Sequence, residues 1–291
     1  MNTVRPVKIG KKTVGPGNPT YVIAEIGINH NGSLDTAKKL IDVAIDTGCD
    51  AVKFQKRDVD VVYSKDELAR PRENPFGATN GDLKRGLEFG EKDYAEIDRY
   101  CKAKGIDWFA SCWDEGSVDL IARLDPVCFK IASASLTDDS LLRYHRKFNK
   151  PLIVSTGMSD MDMIAHAVEI LGSEDLVLLH CTSTYPSDPK ELNLRAIKAL
   201  ADRFSVPVGY SGHEVGLQTT VAAVALGACA IERHITLDRS MWGSDQSSSV
   251  EPQGWQRMVR DVRTVETALG DGVVRIYDSE RPIIEKLRRV S

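Results

Sequence analysis

Short apolar runs recur along the chain, each closing on a polar residue and each followed by a segment with helical spacing. The first, 21–26 (YVIAEI), leads into Asn31-Gly32-Ser33. Ser33 is suited to cap a helix whose apolar positions Ala37, Leu40, Ile41 and Ala44 recur at intervals of three and four, and Gly48 suits its end. The second run is 51–55. Further runs at 108–110, 127–131, 151–154, 176–179, 206–210 and 228–231 alternate with helical segments at 94–104, 118–124, 141–148, 163–171, 194–204, 217–226 and 255–269. Eight short apolar strands, each followed by a helix, suit a parallel sheet buried on both faces. The pattern predicts an α/β fold, a (β/α)8 TIM barrel over 21–275. A short N-terminal β-hairpin or lid precedes it over 1–20, turning at Gly15-Pro16-Gly17, and a C-terminal tail follows over 276–291. An open doubly wound sheet is the alternative, disfavoured because no GxGxxG opens the first helix. Residues 57–90, rich in Asn, Gly, Pro and charge, interrupt the alternation. A loop of that length in a compact domain is functional or disordered.

In a barrel of this kind the C-terminal strand ends form one edge and carry the chemistry. Reading only those ends yields Glu25, Lys53, Gln55, Ser111, Lys130, Ser133, Ser155, Ser183, Tyr185, Ser211, His213 and His234. A single serine in such a place is more often a helix cap than a ligand. Either histidine alone is as readily a cap or a core residue. Together they have a character. Two lysines with apolar neighbours and a ring of serines suit a bound phosphate. Gly157 and Gly212 would let backbone N–H groups approach an anion. His213 and His234 end the last two strands and could hold a divalent transition metal beside it. Glu25 is available as a third ligand, a base or an acceptor for hydroxyls. His30, His145 and His166 read as structural or solvated; His180, inside an apolar strand, is ambiguous, a core hydrogen bond being one reading of it.

Composition narrows the function classes. A formal net charge of −4 over 291 residues, 42% of them apolar, argues against non-specific nucleic-acid binding. No apolar run reaches membrane-span length, and the start MNTVRPVKIG lacks the apolar core of a signal peptide. The six cysteines form no CxxC pair and read as buried thiols in a reducing cytoplasm.

The segments AEIGINHNG (24–32), AVKFQKR (51–57), FKIASAS (129–135), LIVSTGM (152–158), LLHCTSTYP (178–186), VGYSGHE (208–214), IERHITLD (231–238) and GSDQSSSVEP (243–252) are similar, in order, to those of the sialic acid (N-acetylneuraminate) synthase family. The resemblance runs from about residue 20 to the end of the chain. It implies a barrel that condenses phosphoenolpyruvate with an open-chain N-acetylated amino sugar or related aldose, giving a 2-keto sugar acid and phosphate. It implies a divalent metal, typically manganese with cobalt or magnesium as substitutes, on His213 and His234 to polarise the sugar aldehyde. Phosphoenolpyruvate contacts match Lys53, Ser111, Lys130, Ser133, Ser155, Ser183 and Ser211; sugar contacts match Glu25, Tyr185 and Asp245. Glu25 or a water handles protons. Three features depart from the family pattern. The sequence stops at YDSERPIIEKLRRVS, where the resemblance would place the linker to an antifreeze-like domain, which leaves open a longer natural chain, a homo-oligomer or a separate antifreeze-like partner chain. Ser135 stands where a carboxylate is usual, with Asp138 and Asp139 nearby. Asn74 and Asn80 are alternative counterparts of the sugar-binding asparagine. The competing readings are a metal-free Schiff-base pyruvate aldolase using Lys130 or Lys53, and a non-catalytic phospholigand-binding barrel.

Overall fold

A computed structural model describes residues 4–290. Eight parallel strands close into a barrel in chain order, the last pairing with the first. They are β1 (Tyr21–Gly27), β2 (Ala51–Lys56), β3 (Asp107–Cys112), β4 (Phe129–Ile131), β5 (Leu152–Ser155), β6 (Leu176–Cys181), β7 (Val208–Gly212) and β8 (Ala230–His234). The helices that follow them are α1 (Leu34–Asp46), α2 (Glu91–Lys104), α3 (Glu115–Ala122), α4 (Asp139–Arg146), α5 (Met161–Leu171), α6 (Ala196–Phe204), α7 (Gln218–Ala225) and α8 (Pro252–Leu269). The first is built as its sequence dictates: Ser33 Oγ accepts from Thr36 N, and Ala37, Leu40, Ile41 and Ala44 are the buried stripe. Among the described residues no helix is long and apolar enough to cross a membrane.

Strand side chains alternate between the barrel interior and the helix layer, and the two sets form separate apolar clusters. Val22, Ala24, Ile26, Val52 and Phe54 pack against the helices. Tyr21, Ile23, Ala51, Phe109, Cys128, Ile153, Leu179 and Ala230 fill the lower interior. Continuing each interior row two residues further replaces apolar side chains with polar ones. Ile23 gives way to Glu25, Ala51 to Lys53, Phe109 to Ser111, Cys128 to Lys130, Ile153 to Ser155, and Ala230 to Glu232. The barrel is therefore greasy at its N-terminal end and ionic at its C-terminal end.

The N-terminal hairpin forms from Val7–Ile9 and Lys12–Val14, but it is no lid over the strand C-termini. Its Val7, Ile9 and Val14 join the lower interior cluster and plug the greasy end. Its turn lies at Gly10-Lys11, where Gly10 takes a φ of 54°. Gly15-Pro16-Gly17 instead redirects the chain after the second strand. The 57–90 interruption is structured. It holds short helices Val59–Val62 and Lys65–Ala69, an antiparallel pair Pro71–Asn74 and Gly77–Thr79, and helix Asn80–Leu87 with a Thr79/Asp82 capping box. The C-terminal segment carries a short helix, Arg281–Leu287, with no buried residue.

Candidate active site

Strand register sets the polar ring. Glu25 lies between His234 on β8 and Lys53 on β2. Gln55 pairs with Ser111, and Ser111 with Lys130. Cys181 is level with Ser211, and Ser211 with Glu232. The predicted residues Glu25, Lys53, Gln55, Ser111, Lys130, Ser133, Ser155, Ser183, Tyr185, Ser211, His213 and His234 all line one pocket of about 180 Å³. Asp245 stands behind it, its carboxylate 4.0 Å from His234 Nδ1.

Two buried ammonium groups define the electrostatics. Lys53 forms an ion pair with Glu25, lies 3.5 Å from Glu232, and donates to Ser111 Oγ at 3.1 Å. Lys130 donates to Ser155 Oγ at 2.7 Å and to the Ile131 carbonyl at 3.1 Å. Burial lowers Lys53 to about 7, against the pull of Glu232. Burial alone would raise the Glu232 carboxyl, but Lys130, Lys53 and the Ser211 hydroxyl hold it well below the ordinary range. Glu232 is the participant that the strand-end reading overlooked. Its Oε2 is buried without a hydrogen-bond partner. The signal was available, because Glu232 sits two residues before His234 and so shares its face of β8.

Beside the lysines lies a cradle of hydroxyls and one backbone N–H. Gly157 N donates to Ser133 Oγ at 3.0 Å. A Cβ at Gly157 would lie 2.1 Å from Ser183 Oγ and 2.9 Å from Ser133 Oγ and Cys181 Sγ. Only glycine lets these groups converge. Gly157→Ala is therefore expected to raise the KM for an anionic substrate by about tenfold or more, the worth of one charge-assisted hydrogen bond. Steady-state kinetics alongside a thermal melt check this, and an unchanged KM would refute the cradle.

The two histidines face each other across the mouth, ring centroids 5.7 Å apart. His213 Nδ1 donates to the Thr182 carbonyl at 2.8 Å, which leaves Nε2 as the acceptor of the Tyr185 hydroxyl at 2.8 Å. His234 Nδ1 is buried without a hydrogen-bond partner. Burial lowers both imidazoles, His234 to about 4. Neutral rings, one held in a fixed tautomer and one with an orphaned nitrogen, fit a borderline divalent cation. Among the described residues no group of three His, Cys, Asp or Glu side chains gathers to hold one. On this pair a cation would have the two imidazoles as its protein ligands.

The other singled-out residues lie outside this ring. Asp138 Oδ1 caps α4 through Leu141 N, and Asp139 holds His166 Nε2. Neither supplies the carboxylate absent at Ser135. Asn74 braces its hairpin through Phe76 N and the Thr79 carbonyl, and Asn80 is bonded to Glu67 and Arg72. His145 is buried with Nδ1 on the Leu141 carbonyl, His180 Nε2 meets the Leu192 carbonyl, and His30 stacks on Phe89.

The fold and this strand-end ring define a parallel β/α barrel with an ionic, hydroxyl-lined site, two lysines against two carboxylates, beside two neutral imidazoles. The NeuB family model matches residues 40–274. Human N-acetylneuraminate-9-phosphate synthase is 40% identical over 279 residues, covering 94% of this chain and 78% of its own. The N,N'-diacetyllegionaminic acid synthase of Legionella pneumophila is 37% identical over 290 residues, covering 96% and 82%. A crystal structure of N-acetylneuraminic acid synthetase from Leptospira borgpetersenii, in complex with citrate, superposes with a TM-score of 0.87 at 30% identity, covering 99% of both chains. The chain belongs to the NeuB family, whose members include these sialic-acid-type synthases.

Proposed function

We propose that the protein condenses phosphoenolpyruvate with the open-chain aldehyde of an amino sugar, releasing phosphate and a 2-keto sugar acid. One observation carries this: Lys53, Lys130, the strand-end serines and Gly157 N–H converge beside the His213–His234 pair. The names of the human, Legionella and Leptospira relatives, synthases of N-acetylneuraminate 9-phosphate, N,N'-diacetyllegionaminic acid and N-acetylneuraminic acid, agree with it.

Lys130 and the Ser133–Gly157–Ser183 cradle suit the phosphate and carboxylate of phosphoenolpyruvate, and Lys53 with Ser111 closes the other side. Holding the enol face toward the mouth presents its methylene carbon to an aldehyde lying near His213, Tyr185 and His234, an entropic advantage of orientation. The new C–C bond forms between that carbon and the aldehyde carbon, and the aldehyde oxygen takes up a proton. Water then adds to the electron-deficient former enol carbon and loses a proton, and the phosphate leaves as a ketone forms. In this reading Glu25 carries a proton between these events, which its contacts with Lys53 and Gln55 and its register beside His234 support. His213 and His234 would hold the divalent metal, manganese for preference, which supplies Lewis-acid polarisation of the aldehyde.

His213→Ala should cut phosphate release by on the order of a thousandfold, the scale of losing one electrophilic group. It should also abolish tight manganese binding in a calorimetric titration. Release is expected only with both substrates and metal present, and its absence across a panel of aldoses would refute the reading. The lowered Lys53 supports a second reading, a Schiff-base aldolase. Borohydride with pyruvate tests it, and no trapped adduct is expected because the Lys53 ammonium is paired with Glu25.

A further inference from the structure

Behind the strand ends that carry His213 and His234 lies a cavity of about 240 Å³ that shares no lining residue with the catalytic pocket. It is set between residues 214–217 after β7, residues 239 and 248–251 after β8, and the first turns of α8. Its inner wall is Arg233. Glu232 and His234 line the barrel pocket, so Arg233 between them on β8 points outward into the helix layer. The side chain is buried. Its Nη1 and Nη2 donate to Glu214, Gly216 and Thr220, while among the described residues its Nε–H has no acceptor.

Two more guanidinium groups, those of Arg239 and Arg257, line the exposed rim. Among the described residues neither pairs with a carboxylate. The Arg239 side chain donates to the Ser247 carbonyl, at 2.7 Å through Nε, and Arg257 makes no hydrogen bond. Glu214 is committed to Arg233 at 3.0 Å, which leaves Glu251 as the one lining carboxylate to answer the rim. Helix α8, eighteen residues long, also starts here without a side-chain cap, so the N–H groups of its first turn add partial positive charge. The excess is therefore cationic, in a concave place between the loops after strands seven and eight, where barrels frequently hold a phosphate.

We infer that this cavity is a second anion site, separate from the reaction centre, which takes a phosphate dianion, free or as the monoester of a small molecule, on Arg233, Arg239 and Arg257. Its occupancy reaches the reaction centre through Arg233. Glu214 follows His213 and Arg233 precedes His234, so an anion that draws on the Arg233 guanidinium loosens its pairing with Glu214 and the spacing of the two imidazoles. Calorimetric titration of inorganic phosphate into the full-length Lys130→Met protein, at fixed ionic strength, tests the site with the catalytic pocket disabled. One phosphate should bind. Adding Arg257→Gln or Arg239→Gln should weaken it at least about tenfold, the effect of one charge-assisted hydrogen bond. Adding Glu251→Gln should tighten it. No phosphate bound by Lys130→Met, or one bound equally well without Arg257 and Arg239, overturns the inference whatever the catalytic pocket binds. Glycerol 3-phosphate in the same titration separates the sources: tighter binding than phosphate assigns the site to a phosphorylated metabolite, and equal or weaker binding to the free ion. In synthase turnover, followed by the keto acid formed, Arg257→Gln alone should leave kcat and both KM values unchanged. Added phosphate should lower kcat of the wild type even at saturating phosphoenolpyruvate, and at least about tenfold more phosphate should be needed for the same loss in Arg257→Gln. Equal inhibition of the two proteins would overturn the link to the histidines.

Discussion

Replacing Lys130 by Met is expected to lower kcat/KM for phosphoenolpyruvate by about a thousandfold, the scale of deleting a preorganised charged donor from a water-excluded site. Lys130 is 1% exposed and its ammonium has three protons. Ser155 Oγ and the Ile131 carbonyl take two of them, leaving one for a ligand in the pocket. Its neighbours are fixed by register, Ser111 on β3 and Ile153 on β5, so the charge cannot be re-supplied by a shift of another side chain. Methionine keeps the length and the packing of the stem, so the barrel should fold and melt near the wild type. Its loss of charge leaves Glu232 with only Lys53 to offset it, so in the proposed binding mode repulsion of the phosphate adds to the missing attraction. Phosphate-release kinetics at varied phosphoenolpyruvate check this. A loss of less than about tenfold would mean that Lys130 serves only to neutralise Glu232, since one hydrogen bond to a charged group is worth that much.

The eight-fold alternation was readable because each strand is short and buried on both sides, so its apolar run is nearly unbroken and its polar end stands out. The ring of Lys53, Ser111, Lys130, Ser155, Ser211 and His234 was readable for the same reason: parallel strands put all their ends on one edge. What could not be read was whatever depends on closure. The hairpin of Val7, Ile9 and Val14 looks the same in sequence whether it covers the top or the bottom of a barrel. Only the greasy interior row headed by Tyr21 and Phe109 decides for the bottom. The 57–90 stretch reads as loop because its elements are short. They are held by tertiary bonds such as Asn80 to Glu67 and Arg57 to Glu88 rather than by local periodicity. Asp138 was close to the site in sequence but is spent on capping α4.

Arg233→Met is expected to destabilise the barrel by about 3–5 kcal/mol, the cost of leaving one member of a buried ion pair alone. Arg233 and Glu214 are 2% and 0% exposed, and their charged atoms lie 3.0 Å apart. Glu214 also accepts from the hydroxyls of Tyr210, Thr219 and Thr220, while Arg233 donates to the carbonyls of Glu214 and Gly216. Removing the guanidinium therefore leaves a buried carboxylate without its counter-charge and takes a donor from two carbonyls at once. Glu214→Gln should cost less, because the amide still meets the hydroxyls and Arg233 keeps its carbonyl acceptors. The pair has a second consequence. Glu214 follows His213 and Arg233 precedes His234, so the bridge fixes the end of β7 to the end of β8, and with it the separation of the two imidazoles. Glu214→Gln should accordingly weaken manganese binding more than it weakens phosphoenolpyruvate binding, whose proposed contacts Lys53, Ser111, Lys130, Ser133 and Ser183 belong to β2 to β6 and the loops after them. Urea unfolding measures the first effect and calorimetric titration of manganese and phosphoenolpyruvate the second. An Arg233→Met protein that unfolds at the wild-type urea midpoint would show that the bridge contributes no net stability. A Glu214→Gln protein that loses both ligands equally would show that the bridge does not act through the histidines.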